Sequence, residues 1–496
     1  MIIQQTRCFF RADGNSQIGW GHVVRMLALA TIVKQEFSCV FAIQEPSPQL
    51  SRQITEAGLN ILALPASNFI EEAHTILNTY IHPKDIIVLD GYNFSTEYQR
   101  ILKEKNNRLV CIDDLSTFHF LADAIINPAG NVKQEKYSKE PYTKLYTGPK
   151  YALLRTPFLE MAKNRNRSCH SNFQRLFINM GGADPENYTS KVLQQIQKDN
   201  YQEIHIVVGG SYKHKASLQE IIAEAKSVFV HTNLSAEEMS ALMRECGTAI
   251  CSASTVSYEY CCAGGLLFIV KTADNQSSLY KFLLNEGLAL SFENEFTKEQ
   301  TDLLAKKENL LKKQAYYFDG SSATNLLTIF QHVALYNQLL IRKATVSDMQ
   351  LLFDWANDPE VRRFAYNPQP IRWEVHQTWF HQKIQSDTSF LYIFYLPGAG
   401  TEIPVAQIRF DIKEGQAIIS YLIDQNFRGK GLGHIILLKG VEIFLQENAA
   451  ASAIIGFVQH ANVASCKSFE KANFSLIPVS EPLPYPDSRK YIFKIK

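Results

Sequence analysis

A chain of 496 residues is too long for one ordinary core, so about two or three domains are expected. With 46% hydrophobic and 20% charged residues it has the balance of a soluble globular protein, and its net charge of +1 gives no electrostatic reason to expect nucleic acid or a membrane as partner. The N-terminal residues lack the basic stretch and apolar core of a secretory signal, and the longest apolar run, Cys261–Val270, falls far short of the roughly 18 residues of a membrane span. Nine scattered cysteines without C-x-x-C or Cys/His ligand spacing predict no disulfide framework and no metal site, but reduced thiols in a cytoplasmic protein.

Over residues 1–165 short apolar runs alternate with amphipathic ones. Strands are predicted at Cys8–Phe10, Cys39–Ile43, Ile61–Leu64, Ile86–Leu89, Leu109–Ile112 and Ala124–Ile126, with helical segments such as Ile70–Ile81 and Ser95–Lys105 between them. That alternation argues for a parallel sheet covered on both faces, which binds ligands beyond the C-terminal ends of its strands. The first strand runs through Arg11-Ala-Asp13 into Ile18-Gly-Trp-Gly-His-Val-Val-Arg25. Gly19 and Gly21 permit a sharp turn and a close approach to a ligand, and the following helix aims unpaired N–H groups at it. His22 at this turn can move protons near neutral pH. Val24 stands where a dinucleotide fingerprint has its third glycine, so the turn is not that motif. Further polar clusters fall at strand ends: Asp90-Gly-Tyr92, Asp113-Asp114 and Asn127-Pro128.

Residues 148–169 read as a connection, and the alternation then restarts over 166–337. Strands are predicted at Leu176–Asn179, Ile204–Val208, Val228–His231, Ala249–Cys251 and Leu267–Val270, a helix at Ala236–Glu245, and Pro185 in the first turn of another helix. Three helix starts carry small polar residues: Gly181-Gly182, Ser254-Thr255 with Glu259 about one turn inside, and Asn275-Gln276. N–H and hydroxyl donors with few fixed charges suit a diphosphate, and Glu259 suits ribose hydroxyls. Helices at Lys298–Lys313 and Ser322–Tyr336 would close this half.

Arg11-Ala-Asp13, the Ile18–Arg25 turn, Asp90-x-Tyr92, Met180-Gly-Gly-Ala-Asp184, Ser254-Thr255 with Glu259, and Asn275-Gln276 together resemble the glycosyltransferase-B-like sugar-nucleotide hydrolases of pseudaminic acid biosynthesis, over residues 1–335. The resemblance implies two Rossmann-like domains, 1–165 and 166–337, in a glycosyltransferase-B arrangement. It implies release of UDP from UDP-2,4-diacetamido-2,4,6-trideoxy-β-L-altropyranose by water attack at the anomeric carbon with inversion. His22 would be the base or water-positioning group, with Asp13 and Tyr92 orienting water or sugar and Gly19, Gly21 and Arg25 around the substrate. Gly181, Gly182, Ser254, Thr255, Glu259, Asn275 and Gln276 would lie on the UDP side, with no metal implied. Tyr258 stands where the family has tryptophan, which leaves base stacking there open.

A new pattern begins after Leu340: helices at Met349–Asn357 and Arg372–Gln385, then strands at Phe390–Tyr395, Val405–Phe410 and Ala417–Ile423. The last strand runs into Arg428-Gly429-Lys430-Gly431-Leu432-Gly433 and a long helix to Gln446, so backbone N–H groups and a cationic rim can surround a pyrophosphate. With a strand at Ala453–Phe457 and Asn462-x-x-Ser465-x-x-x-Phe469 beyond it, residues 338–496 resemble GNAT-type acyltransferases. Within that group they are similar to those that acetylate the 4-amino group of a UDP-sugar in the same pathway. The resemblance implies acetyl-CoA as cosubstrate, with Arg428, Gly429, Lys430, Gly431, Leu432 and Gly433 around its pyrophosphate and Asn462 and Ser465 along its pantetheine arm. Phe469 replaces the tyrosine that protonates the departing thiolate in many such enzymes, which leaves Ser465, Tyr421 or water for that task. His376, Glu374 or a water is nominated as base. A UDP-sugar glycosyltransferase fused to an acyltransferase, and a nucleotide-sugar-binding scaffold with one inactive domain, are the alternatives.

Overall fold

Runs such as Phe9-Phe10 and Ile86–Leu89 are apolar without alternation, the pattern of strands covered on both faces, and these residues are buried. In the computed structural model, which describes residues 6–14, 20–165, 172–196, 200–223, 225–296, 300–397, 401–448, 451–478, 485 and 487–495, such runs build two parallel sheets. The first has strands β1 (Arg7–Ala12), β2 (Ser38–Gln44), β3 (Asn60–Leu64), β4 (Ile86–Asp90), β5 (Arg108–Ile112), β6 (Ala124–Asn127) and β7 (Lys144–Thr147) in the order β3-β2-β1-β4-β5-β6-β7. The second has β8 (Arg175–Asn179), β9 (Glu203–Val208), β10 (Val228–Thr232), β11 (Thr248–Ser252), β12 (Leu266–Val270) and β13 (Leu290–Ser291) in the order β10-β9-β8-β11-β12-β13. Both orders reverse beside their first strand, between β1 and β4 and between β8 and β11. The chain leaves such neighbours toward opposite faces of the sheet, which opens a crevice at their C-terminal ends.

Both sheets belong to one compact unit, Gln5–Phe330, and a second unit covers Gln331–Lys496. In the second unit the strands are β14 (Leu340–Lys343), β15 (Ser389–Pro397), β16 (Glu402–Lys413), β17 (Gln416–Ile423), β18 (Ala453–Gln459), β19 (Ser475–Ile477) and β20 (Ser488–Lys494), ordered β14-β15-β16-β17-β18-β20-β19. Only β17 and β18 pair in parallel. Among the described residues no helix is long and apolar enough to cross a membrane.

Several sequence expectations change. The connection at 148–169 contains a helix, Thr156–Lys163, started by Pro157 at a position where a missing N–H costs nothing. Pro185 lies outside the helix it was expected to start. The Asp184 carboxylate accepts from the N–H groups of Tyr188 and Thr189 (both 2.8 Å) and Asn187 is left-handed at φ 54°, so the helix begins at Tyr188. The helix expected over 70–81 passes at Ile76–Tyr80 into a π-helical turn. The start of the expected 298–313 helix lies outside the described residues, and its described part runs Gln300–Tyr317.

The first sheet is fastened to its helices by charge as well as apolar packing. Arg11, fully buried on β1, donates to Glu72 (2.8 and 2.7 Å) and to Asp13 (2.6 and 2.7 Å), while Tyr98 Oη donates to Glu72 at 2.7 Å. Glu72→Ala strips one side of a guanidinium that has no water to turn to. We expect a loss of about 3 kcal/mol, the low end for breaking a buried pair because Asp13 keeps the other side, read from urea unfolding of the N-terminal unit.

Candidate active sites

The first site grows from the crevice between β1 and β4. Helix Gly21–Val33 follows β1 in the chain with His22 as its second residue, and Asp90 is the last residue of β4. His22 Nδ1 lies 2.8 Å from Asp90 Oδ1, and Asp90 is wholly buried. Arg25, one turn further along the helix, donates from Nε and Nη2 to the two Asp90 oxygens (both 2.6 Å) and from Nη1 to Asp114 at 3.1 Å. Burial alone would raise the Asp90 carboxyl, but the Arg25 guanidinium and the hydrogen bonds from Arg25 and His22 outweigh it and hold it below its ordinary value. An ionised Asp90 can only accept, so in the neutral imidazole Nδ1 carries the proton and Nε2 the lone pair. Arg25 Nη2 also lies 3.1 Å from Nδ1, because both donors converge on Asp90 Oδ1.

Tyr92 stands edge-on to His22, with ring centroids 4.7 Å apart, and its phenol lies close to the Asn275 side chain of the second sheet's crevice. The structure thus brings together His22, Arg25, Tyr92 and Asn275. Asp13 is held by Arg11, and among the described residues no hydrogen bond joins it to His22. Gly21 has open space where a Cβ would stand, and Gly19 lies outside the described residues. Arg25, expected around the substrate, spends its donors on Asp90 and Asp114. Asp90 was legible as a strand-end aspartate, but its pairing with His22 follows from the β1–β4 register, which sets Ala12 beside Asp90.

Around the second crevice, Gly181 adopts φ 97° and both it and Gly182 leave open space where a side chain would stand. Ser254 precedes helix Thr255–Ala263, and its hydroxyl is 3.0 Å from that of Ser252. Gln276 Oε1 accepts from the Thr272 N–H at 2.9 Å and closes the loop that exposes Asn275. Glu259 is buried in a bidentate pair with Arg155 (2.8 and 2.9 Å), and was not to be found by sequence alone in that partnership. Tyr258 is 4% exposed, packed on Phe318 and donating to the Pro128 carbonyl at 3.2 Å, so its ring is not available to stack on a base.

The second site is a cavity of about 1040 Å³ in the C-terminal unit. Strands β17 and β18 pair only as far as Ile419 and Gly456, although they continue to Ile423 and Gln459. Beyond that point they separate, and both sides line the cavity with facing backbone groups that have no partner strand. At its end β17 delivers the glycine loop: Gly429 and Gly431 adopt φ 75° and 71°, which side chains rarely tolerate, and helix Gly433–Glu447 follows. Of the eight residues expected here, Arg428, Gly429, Gly431, Leu432, Gly433, Asn462 and Ser465 line the cavity. Lys430 does not line it; its ammonium lies 5.1 Å from the Phe427 ring centroid. The Arg428 guanidinium is braced by Asp358 (2.8 Å) and the Ile423 carbonyl (2.9 Å), and Asn462 caps helix Val463–Lys471.

Of the two side chains nominated as base, His376 lines the cavity and Glu374 does not. His376 is buried among Phe353, Trp373, Trp379 and Phe380 with Nε2 on the Met349 carbonyl (3.1 Å), and burial lowers its pKa. Glu374 is exposed on the same helix and does not line the cavity. Among the described residues no cluster of three or more His, Cys, Asp or Glu could hold a metal ion.

Residues 338–475 match the acetyltransferase (GNAT) domain family. Over 482 residues the chain is 24% identical to an uncharacterized protein of Methanocaldococcus jannaschii, an alignment that covers 93% of this chain and 95% of that one. It is 26% identical over 294 residues to the UDP-2,4-diacetamido-2,4,6-trideoxy-beta-L-altropyranose hydrolase of Campylobacter jejuni, covering 58% of this chain and 99% of the relative. It is 24% identical over 288 residues to the spore coat polysaccharide biosynthesis protein SpsG of Bacillus subtilis, covering 56% and 81%.

The depressed pKa of Asp90 makes its contribution to stability pH-dependent. A carboxyl whose pKa is lower in the fold than unfolded stabilises fully above its ordinary value of 3.8, and that stabilisation is lost as pH falls through the lower folded value. The stability difference between wild type and Asp90→Asn should therefore be constant at neutral and mildly acidic pH and shrink below about pH 4, in guanidinium melts at stepped pH.

Proposed function

We propose, from the premise that this chain joins a homologue of a UDP-sugar hydrolase to a C-terminal GNAT acetyltransferase domain, that its two parts act in succession on one nucleotide-linked amino sugar. The C-terminal unit transfers acetyl from acetyl-CoA to the 4-amino group of a UDP-sugar. The N-terminal unit then hydrolyses the diacetamido product to UDP and free sugar, as in pseudaminic acid biosynthesis.

The observation that carries the hydrolase reading is the His22–Asp90 pair. Its Nε2 lone pair can take a proton from water as the water attacks the anomeric carbon and the bond to the diphosphate oxygen breaks. In this reading the two parallel sheets take the glycosyltransferase-B arrangement, with the sugar at the β1–β4 crevice and UDP at the β8–β11 crevice. The closeness of Tyr92 to Asn275 supports it, since it brings the two rims together. Gly181, Gly182 and the N-terminus of helix Thr255–Ala263 offer N–H groups to the leaving diphosphate, where developing charge is greatest.

For the acetyltransferase reading, the separated β17 and β18 offer unpaired backbone groups to a pantetheine arm, and the left-handed glycines before helix Gly433–Glu447 leave N–H groups for the pyrophosphate. The cavity lining contains Arg362, Arg409, Arg428, Lys467 and Lys471 against one carboxylate, Glu360. That balance suits an anionic, nucleotide-linked acceptor better than a polycation.

Proton NMR of UDP-2,4-diacetamido-2,4,6-trideoxy-β-L-altropyranose with wild-type protein should show UDP and free sugar of inverted anomeric configuration. His22→Ala should slow this about 10²–10⁴-fold, the usual worth of one general base. Transfer to an acceptor, or no cleavage by wild type, overturns the hydrolase reading. In the other unit, Gly431→Val forces a β-branched residue to φ 71° beside His332, a strain of about 1–2 kcal/mol. Calorimetry should then read acetyl-CoA binding about tenfold weaker, with UDP release by the same protein unchanged.

A further inference from the structure

Phe469 has no proton to give, and the structure fixes it where it stands. Its ring fills the space left by Gly456, where a Cβ would collide with it, and packs on Phe474 and Tyr491. Gly456 is also the last β18 residue paired with β17, so the ring closes the apex at which the two strands part. A phenol faces this apex from the opposite strand. Tyr421, two residues past the last pair on β17, lines the cavity with its ring centroid 6.0 Å from that of Phe469. Its hydroxyl donates to Ser465 Oγ at 3.3 Å. Gly433 makes this possible: a Cβ there would collide with Ser468 Oγ and stand 3.2 Å from Tyr421 Oη.

We infer that Tyr421 supplies the proton taken by the departing coenzyme thiolate, the task Phe469 cannot perform. The inference rests on the acetyltransferase reading above. The acceptor amine attacks the thioester carbonyl, forming the C–N bond; the tetrahedral intermediate collapses with C–S cleavage, and the thiolate takes the Tyr421 phenolic proton. The new amide nitrogen sheds its proton to solvent, and the phenolate recovers one from there, so the net transfer is one proton from amine to thiol. Burial raises the phenol above its ordinary value, so it stays protonated between turnovers and serves as donor, not base. The acid has thus moved from the helix after β18 to the strand across from it, and its hydroxyl reaches the same apex from the other side.

The test uses the full-length chain with Tyr421→Phe, and separately with 3,5-difluorotyrosine at position 421, whose phenol is more acidic. The acceptor is UDP-2-acetamido-4-amino-2,4,6-trideoxy-β-L-altropyranose, with acetyl-CoA as donor. Tyr421→Phe should lower kcat by about 10²–10³-fold, within the usual range for a general acid, while leaving the acetyl-CoA Kd unchanged. The difluorotyrosine protein should keep most of the wild-type kcat at neutral pH and lose it at a lower alkaline pH than wild type, a shift that a merely structural phenol would not produce. A kcat for Tyr421→Phe equal to wild type, a loss explained wholly by weaker acetyl-CoA binding, or an unmoved alkaline limb overturns the assignment and leaves the acetyltransferase reading standing. Absence of transfer by the wild type overturns both.

Discussion

A carboxylate with no access to water must be matched by donors that stay close, and at Asp90 this requirement orders the whole first crevice. Its two oxygens accept three hydrogen bonds, two from Arg25 and one from His22. The one-turn spacing of His22 and Arg25 places both on the helix face that looks at the end of β4. The consequences run outward. Asp90 fixes which imidazole nitrogen bears the proton, Arg25 keeps Asp90 ionised, and the hydrogen-bonded face of His22 sets the opposite nitrogen free for chemistry. Removing Asp90 would cost more than one hydrogen bond, since a buried guanidinium would lose its main counter-charge.

The C-terminal unit meets a different requirement, that backbone groups not be left unpaired in an apolar interior. Where β17 and β18 part, their facing N–H and C=O groups no longer bond strand to strand, and apolar side chains stand at the point of separation. Phe469 is one of them, seated by the missing side chain of Gly456. It is packed on several sides, and a phenol at its position would need a polar partner among Phe474 and Tyr491. Placing the hydroxyl on Tyr421 instead puts it beside Ser465, where it is already satisfied.

Much of this layout was legible in the sequence because the buried parallel strands carry little ambiguity: the predicted Met349–Asn357 helix and the β4 and β5 runs fall within a residue of their observed bounds. Edge and late strands were harder. Lys144–Thr147 and Leu340–Lys343, at sheet edges, and Ser488–Lys494, between two strands, mix charges with apolar residues, and pairing with neighbouring strands overrides their weak local pattern. The glycine loop before helix Gly433–Glu447 and the start of helix Thr255–Ala263 could be read directly, since each depends on residues adjacent in the chain. Partnerships across the fold could not: Arg155 with Glu259 is separated by 104 positions and His22 with Asp90 by 68. Tyr258 misled for a related reason. Its place in the motif left base stacking open, whereas its burial is decided by Phe318 and Pro128, far away in sequence.

The segment that read as a connection shows how such remote partnerships can serve a site. Arg155, just before helix Thr156–Lys163, grips Glu259 one turn inside helix Thr255–Ala263. Arg165, just after helix Thr156–Lys163, donates to the carbonyls of Cys261 and Cys262 at the far end of helix Thr255–Ala263. The positive charges thus complement an acidic side chain at one point and the partial negative charge of the helix C-terminus at the other. Helix Thr255–Ala263 is consequently held along most of its length while its N-terminus is left facing the second crevice. A carboxylate offers about four acceptor positions and Arg155 occupies two, so Glu259 retains capacity for hydroxyl donors without becoming an unpaired buried charge. The pairing therefore need not compete with a role toward ribose. It fixes the carboxylate in place, and a group held rigidly loses less entropy when a nucleotide arrives.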